Sequence, residues 1–128
     1  MDTDGYKHAA LTEQIIQAAF TVHNALGSGF LEKVYENAMV IELTRIGLKV
    51  EQQKPLHVTY HGKCVGEYFA DLVVNDKIIV ELKSVSHILP VHEVQLVNYL
   101  KATGLEIGLL INFAEKRVEI RRKIESRS

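Results

Sequence analysis

The chain of 128 residues is long enough for one domain with a single hydrophobic core and too short for two ordinary domains. With 47% hydrophobic and 24% charged residues its composition excludes a disordered chain, and its formal net charge of -1 provides no strong general attraction to a polyanion. The single cysteine, Cys64, excludes an intramolecular disulfide, and neither a signal peptide nor an apolar stretch of membrane-spanning length is apparent. We therefore expect a cytoplasmic protein with no membrane partner, folded as one domain over residues 1–128 with its core at about residues 10–124.

Three segments have the apolar spacing of helices. The first covers residues 9–26 and ends at Gly27, and the second is capped by Ser28 and ends at Gly47. The third begins at Pro90, because proline lacks only an N–H that the first helical turn does not use, and ends near residue 104.

Between and after these helices the apolar period changes to two, which predicts strands. Short strands at residues 48–53 and 56–60 are expected on either side of Pro55, and further strands at the four segments 67–74, 78–85, 106–113 and 117–124. The order of elements predicts an α/β sandwich with one mixed sheet flanked by helices.

The pattern of greatest chemical interest is Asp71 followed by Glu81-Leu82-Lys83. In a strand, Glu81 and Lys83 emerge on one face roughly 6–7 Å apart. Carboxylates can hold Mg²⁺, and a lysine can orient the nucleophile or neutralise charge on a phosphate. The alternative is a structural cross-strand ion pair, although charges at the end of the apolar run 78–80 are costly without a ligand.

The turn before Glu81 decides whether such a site can form. A two-residue turn would place Asp71 opposite Val80 and leave Asp71 and Glu81 on different faces of the sheet. A three-residue loop at residues 75–77 sets Asp71 directly opposite Glu81, and we predict this loop.

Residues 29–35, GFLEKVY, spell GxxExxY, and the chain resembles the small bacterial and archaeal family named after that motif. The resemblance extends over residues 10–124 and includes the blocks at 69–72, 80–83, 95–99 and 108–113. That family is assigned to the PD-(D/E)XK superfamily, which includes restriction endonucleases, junction resolvases and nuclease domains of recombination enzymes. The resemblance implies a restriction-endonuclease-like three-layer sandwich with a central mixed sheet.

The resemblance also implies roles for individual residues. Asp71 and Glu81 match the two acids of the superfamily, Lys83 its lysine, and Glu32 the helical glutamate that some branches add. Gln95 and Tyr99 match a QxxxY element whose glutamine reaches toward the active site, so we predict that Gln95 lies on the same side of the sheet as Glu81 and Lys83. The implied catalytic set is Asp71, Glu81, Lys83, Glu32 and Gln95, and the implied metal site is Asp71, Glu81, Leu82 and Glu32.

These features predict a Mg²⁺- or Mn²⁺-dependent nuclease acting on nucleic acid, with DNA favoured over RNA and DNA repair or recombination as the setting. A homodimer is compatible with this prediction, because cutting both strands requires two active sites and a chain this small carries one. Two alternatives stay open. One is a nuclease-fold module that binds nucleic acid or a protein without cutting it, and the other is an ion network in an unrelated α/β domain.

Overall fold

The computed structural model describes residues 7–125, which form three helices and five strands. The helices are α1 (Ala9–Leu26), α2 (Glu32–Arg45) and α3 (Pro90–Thr103). The strands are β1 (Val50–Tyr60), β2 (Lys63–Val74), β3 (Ile78–Lys83), β4 (Ile107–Phe113) and β5 (Val118–Ile124).

The strands form one mixed sheet in the order β1-β2-β3-β4-β5. Strands β3 and β4 are parallel and are joined through α3, whereas the other neighbouring strands are antiparallel. This is the α/β restriction-endonuclease-like fold that the sequence predicts.

Helices cover both faces of the sheet, and the alternation of side chains along β3 divides the core between them. Ile78, Val80 and Leu82 pack with α1 and α2. Ile79 packs with residues of α3, so Glu81 also projects on the α3 side. Helix α3 approaches β4 closely at Gly108, where an added Cβ would lie 2.7 Å from the Leu96 side chain.

The hairpin between β2 and β3 has the register that the three-residue loop predicts. Val74 pairs with Ile78, and residues 75–77 form the turn, with Asn75 and Asp76 in the left-handed conformation. The backbone N–H of Lys77 donates to the Val74 carbonyl, and Lys77 is the extra residue that shifts the register from that of a two-residue turn.

Two local predictions are wrong. The segments on either side of Pro55 form one strand, because β1 is an edge strand, where proline costs no necessary ladder hydrogen bond. Helix α2 begins at Glu32 rather than next to Ser28, because Gly29, with φ 95°, continues a non-helical segment up to Leu31. Among residues 7–125, no helix combines the length and apolarity needed to span a membrane.

Candidate active site

The backbone ladder between β2 and β3 stops after the pair Leu72–Val80, and the same register next brings Asp71 opposite Glu81. At that point the side chains replace the backbone as hydrogen-bonding partners. The Asp71 N–H donates to Glu81 Oε2, and the Leu82 N–H donates to Asp71 Oδ2, both at 2.8 Å. Asp71 and Glu81 therefore form a reciprocal pair, called the acidic pair below.

Glu81 of the acidic pair is buried and Asp71 is half-buried, and this burial controls the ionisation of both carboxyls. Glu81 is only 6% exposed. Burial, followed by the charge of Asp71, raises the pKa of the Glu81 carboxyl to about 8. Burial also raises the pKa of Asp71, against the hydrogen bond from the Leu82 N–H. In the absence of a cation, the site thus disfavours two carboxylate charges.

Lys83 lies two residues beyond Glu81 on β3 and is half-buried. Its positive charge acts on both acids and opposes the rise in their pKa values. The Asp, Glu and Lys predicted from the sequence thus converge at the carboxyl end of β3.

A fourth polar residue, Gln53, joins the acidic pair from the edge strand β1. Its φ of 53° is left-handed, and the β1–β2 pairing passes from Gln52–Leu72 to Lys54–Ala70 without it. The Gln53 amide donates to Asp71 Oδ1 at 3.3 Å and to Glu36 Oε1 at 2.9 Å. A left-handed conformation in a residue other than glycine is unfavourable, and such strain is concentrated at functional sites.

Glu36 is a buried carboxylate of the cluster that the sequence analysis did not identify. It is 4% exposed and accepts hydrogen bonds from Lys33, Gln52 and Gln53. Its charge contributes to the raised pKa of both Asp71 and Glu81. The available signal was its position one helical turn after Glu32, which places both acids on one side of α2.

The GxxExxY segment fastens the start of α2 to the end of β3. The Tyr35 hydroxyl donates to the Gly27 carbonyl at 2.7 Å, and the ring stacks on Phe113 with centroids 4.3 Å apart. Ser84, which follows Lys83, donates through Oγ to the Phe30 carbonyl at 2.7 Å. The Ser84 N–H donates to Glu32 Oε2 at 3.3 Å. The exposed Glu32 side chain therefore contacts the residue that follows Lys83.

The loop that leaves the site after Lys83 is held by Asn112, a fully buried residue of β4. Its side chain accepts from the Val85 N–H at 2.9 Å and donates to the Val85 carbonyl and to Glu119, both at 2.8 Å. These bonds fix the path of the chain immediately beyond the site.

Gln95 belongs to α3, which packs on the face of the sheet from which Glu81 projects. Its side chain is exposed, and its amide donates to the Tyr99 hydroxyl at 3.1 Å rather than to the acidic pair. Tyr99 is closer to the site in electrostatic terms, because burial and then the charges of Glu81 and Asp71 raise the pKa of its hydroxyl to about 12.

The donor chemistry of the cluster suits a hard divalent cation, because Asp71, Glu81, Glu36 and Glu32 offer only carboxylate oxygens. Within residues 7–125, however, no three acidic, histidine or cysteine side chains are already arranged to hold a metal. The hydrogen bonds explain this, since Asp71 Oδ2 and Glu81 Oε2 face backbone N–H groups. The Leu82 side chain is buried against α1 and α2, so Leu82 could contribute only a backbone oxygen to such a site.

Comparisons with known proteins agree with this fold. A family model described as the PD-(D/E)XK nuclease superfamily matches residues 9–123. The solved structure of SSO0001 has a TM-score of 0.59 at 20% identity, and the match covers 93% of this chain and 60% of that one. An alkaline exonuclease (LHK-Exo) from Laribacter hongkongensis has a TM-score of 0.55 at 13% identity, with 94% and 72% covered. No curated protein sequence matches the chain.

Proposed function

Because the chain belongs to the PD-(D/E)XK nuclease superfamily, we propose that it is a nuclease that uses Mg²⁺ or Mn²⁺ to hydrolyse phosphodiester bonds of nucleic acid. The observation that carries this proposal is the acidic pair at the point where β2 and β3 cease to pair. The nearby positive charge of Lys83 lowers the pKa of both acids but leaves both above their ordinary values. A divalent cation would complete the neutralisation.

In this proposal Asp71 and Glu81 are the main metal ligands, and the backbone carbonyl of Leu82 is the third protein oxygen. The bound metal would activate water and stabilise negative charge on the phosphate. Lys83 orients the attacking water or neutralises the developing charge, since it projects from β3 beside Glu81. Glu81 must lose its proton to act as a ligand.

Helix α2 offers two further carboxylates, Glu32 and Glu36. Glu36 is favoured as the carboxylate nearer to the acidic pair, because it is buried and shares the Gln53 amide with Asp71. Its charge also acts on both members of the acidic pair. Glu32 accepts from the Ser84 N–H and would then orient the end of β3 next to Lys83. Gln95 would affect the site indirectly, through the Tyr99 hydroxyl to which its amide donates a hydrogen bond.

For the biological setting we propose DNA over RNA as substrate, a role in repair or recombination, a cytoplasmic location and a homodimer when both strands are cut. The chain spans about 60% of SSO0001 and 72% of the alkaline exonuclease.

The proposal is tested with branched, duplex and single-stranded DNA and RNA, incubated with Mn²⁺ and analysed by gel electrophoresis. We expect cleavage of at least one substrate, and we expect Glu81→Gln to reduce the rate by about 100-fold or more. The matched control is Glu42→Gln on α2, a half-buried glutamate in a salt bridge with the exposed Arg45, which should retain wild-type cleavage. Equal cleavage by Glu81→Gln and the wild type would overturn the assignment, and binding without cleavage of any substrate would favour the non-catalytic module.

A further inference from the structure

A groove of about 600 Å³ lies between α3 and the part of the β1–β2 hairpin that extends beyond β3. Its size falls within the range of small-molecule pockets. Tyr68 contributes from the hairpin, and Tyr99, Gln95, Asn98 and Lys101 contribute from α3. The groove therefore combines aromatic rings, side-chain amides and a cation.

Tyr68 and Tyr99 form an aromatic wall of the groove, in which the Tyr99 ring is buried and the Tyr68 ring is exposed. Their centroids lie 5.6 Å apart with an interplanar angle of 43°. Tyr99 is 7% exposed and its hydroxyl accepts from Gln95, whereas Tyr68 is 48% exposed. A ring held in place on one side and open on the other can receive a flat ligand.

The groove also has an apolar part, on the first turns of α3, that faces solvent. Val91 and Val94, successive members of one stripe on α3, are 64% and 58% exposed and line the groove. A flat group with apolar faces and polar edges would cover these valines and Tyr68 while its edges reach Asn98 or Gln95. A nucleobase has this chemistry.

The groove begins next to the acidic pair. Tyr99 lines the groove and packs in one cluster with Ala70, which directly precedes Asp71 on β2. A strand whose phosphate lies at the acidic pair would therefore carry its neighbouring nucleotide toward Tyr68. Lys101 also lines the groove and supplies a cation for the following phosphate.

We propose that this groove binds an unpaired nucleobase of the substrate strand, stacked on Tyr68, so that the enzyme selects single-stranded or unpaired nucleic acid. The inference rests on the proposed nuclease function, because the position of the acidic pair determines where the strand runs. Bases within a duplex are already stacked on both faces and would have to be unstacked before they could enter. Stacking on aromatic side chains is how single strands are bound without sequence preference.

The test is fluorescence anisotropy with the full chain in Ca²⁺, using a labelled single-stranded DNA and the blunt duplex of the same sequence. Tyr68→Ala should weaken single-strand binding by about 5- to 150-fold, the range expected for one lost stacking contact, and leave duplex binding unchanged. Tyr68→Phe should restore single-strand binding, because it retains the ring. An RNA strand of the same sequence shows whether the site accepts both nucleic acids.

Phe69→Ala is the matched control, because Phe69 is the next residue on β2, is also 48% exposed and points to the opposite face of the sheet. It should bind like the wild type. The inference is overturned if Tyr68→Ala binds the single strand normally, if it loses single-strand and duplex affinity equally, or if Phe69→Ala loses as much. Urea unfolding of each variant shows that an affinity change does not come from loss of the fold.

Cleavage in Mn²⁺ separates this inference from the proposed function. Cleavage by the wild type together with an unchanged KM in Tyr68→Ala would overturn the groove and leave the nuclease intact. Single-strand binding that depends on Tyr68, without cleavage by any variant, would overturn the nuclease and support the groove as a binding site.

Discussion

The two halves of β3 differ in the hydrogen bonds that hold them in the sheet. Ile78, Ile79 and Val80 are fully buried and pair through their backbones with both β2 and β4. From Glu81 to Lys83 the strand remains paired with β4 but no longer with β2, where the carboxylates of the acidic pair take over the hydrogen bonds.

The six residues of β3 therefore divide into a half that stabilises the fold and a half that belongs to the candidate site. The first half buries apolar side chains and satisfies its backbone in the ordinary way. The second half collects acidic groups whose ionised forms are disfavoured, which is unfavourable for an apo protein and useful for a metal site. We therefore expect substitutions in the two halves to have effects of different size and sign.

The largest expected effect on stability comes from the apolar half. Ile79→Ala should lower the free energy of unfolding by about 2–5 kcal/mol, because it leaves a cavity between the sheet and α3. Glu81→Gln, measured beside it in metal-free buffer near pH 8, should leave stability unchanged or slightly raised. Glutamine keeps an oxygen to accept from the Asp71 N–H and removes the repulsion with Asp71. Urea unfolding measures both, and a loss of several kcal/mol in Glu81→Gln would identify a structural ion network instead.

The next effect is the pH dependence of the metal-free protein. The folded-state pKa of Glu81 is raised from 4.5 to about 8, so the neutral form is favoured by folding. This stability contribution is complete below about pH 4.5 and is lost as pH rises toward about 8, and the raised pKa of Asp71 adds to it with the same sign.

Urea unfolding across this pH range, for the wild type and Glu81→Gln, isolates the contribution of Glu81. The difference between the two proteins should shift in favour of Glu81→Gln as the pH rises, by an amount on the order of a few kcal/mol. Parallel curves would show that Glu81 does not carry the raised pKa.

The smallest effect distinguishes the two acids of α2. Glu36→Gln should weaken Mn²⁺ binding by about tenfold, because Glu36 shares Gln53 with Asp71 and its charge acts on both members of the acidic pair. Glu32→Gln is the matched comparison one turn away and should have the smaller effect on affinity, because Glu32 is exposed and accepts from the Ser84 N–H. Calorimetric titration of the two variants gives the order, and the reverse order would make Glu32 the helical ligand.

Sequence reasoning predicted the hairpin register because one residue more or less in a turn moves every following side chain to the other face of a sheet. Asp71 opposite Glu81 requires the loop at residues 75–77, and the pairing of Val74 with Ile78 agrees. The apolar run before Glu81 also indicated a buried strand, which the structure contains.

Gln53 and Glu36 escaped prediction for different reasons. Gln53 belongs to an edge strand with no regular pattern, and its role depends on a left-handed backbone that a polar residue type does not reveal. Glu36 looks like any surface helix acid until the packing of α2 places it in the interior. Both depend on tertiary contacts between elements distant in sequence, which local spacing cannot specify.

The most direct test of the acidic pair as a metal site is calorimetric titration of Mn²⁺ into the wild type and Glu81→Gln, in buffers of different ionisation enthalpy near pH 7. We predict wild-type binding with release of a proton, because Glu81 is largely protonated in the apo protein at that pH and must ionise to bind. Glu81→Gln should bind far more weakly and without that proton release. Equal binding by both proteins, or no binding by the wild type, would contradict the assignment of Asp71 and Glu81 as metal ligands.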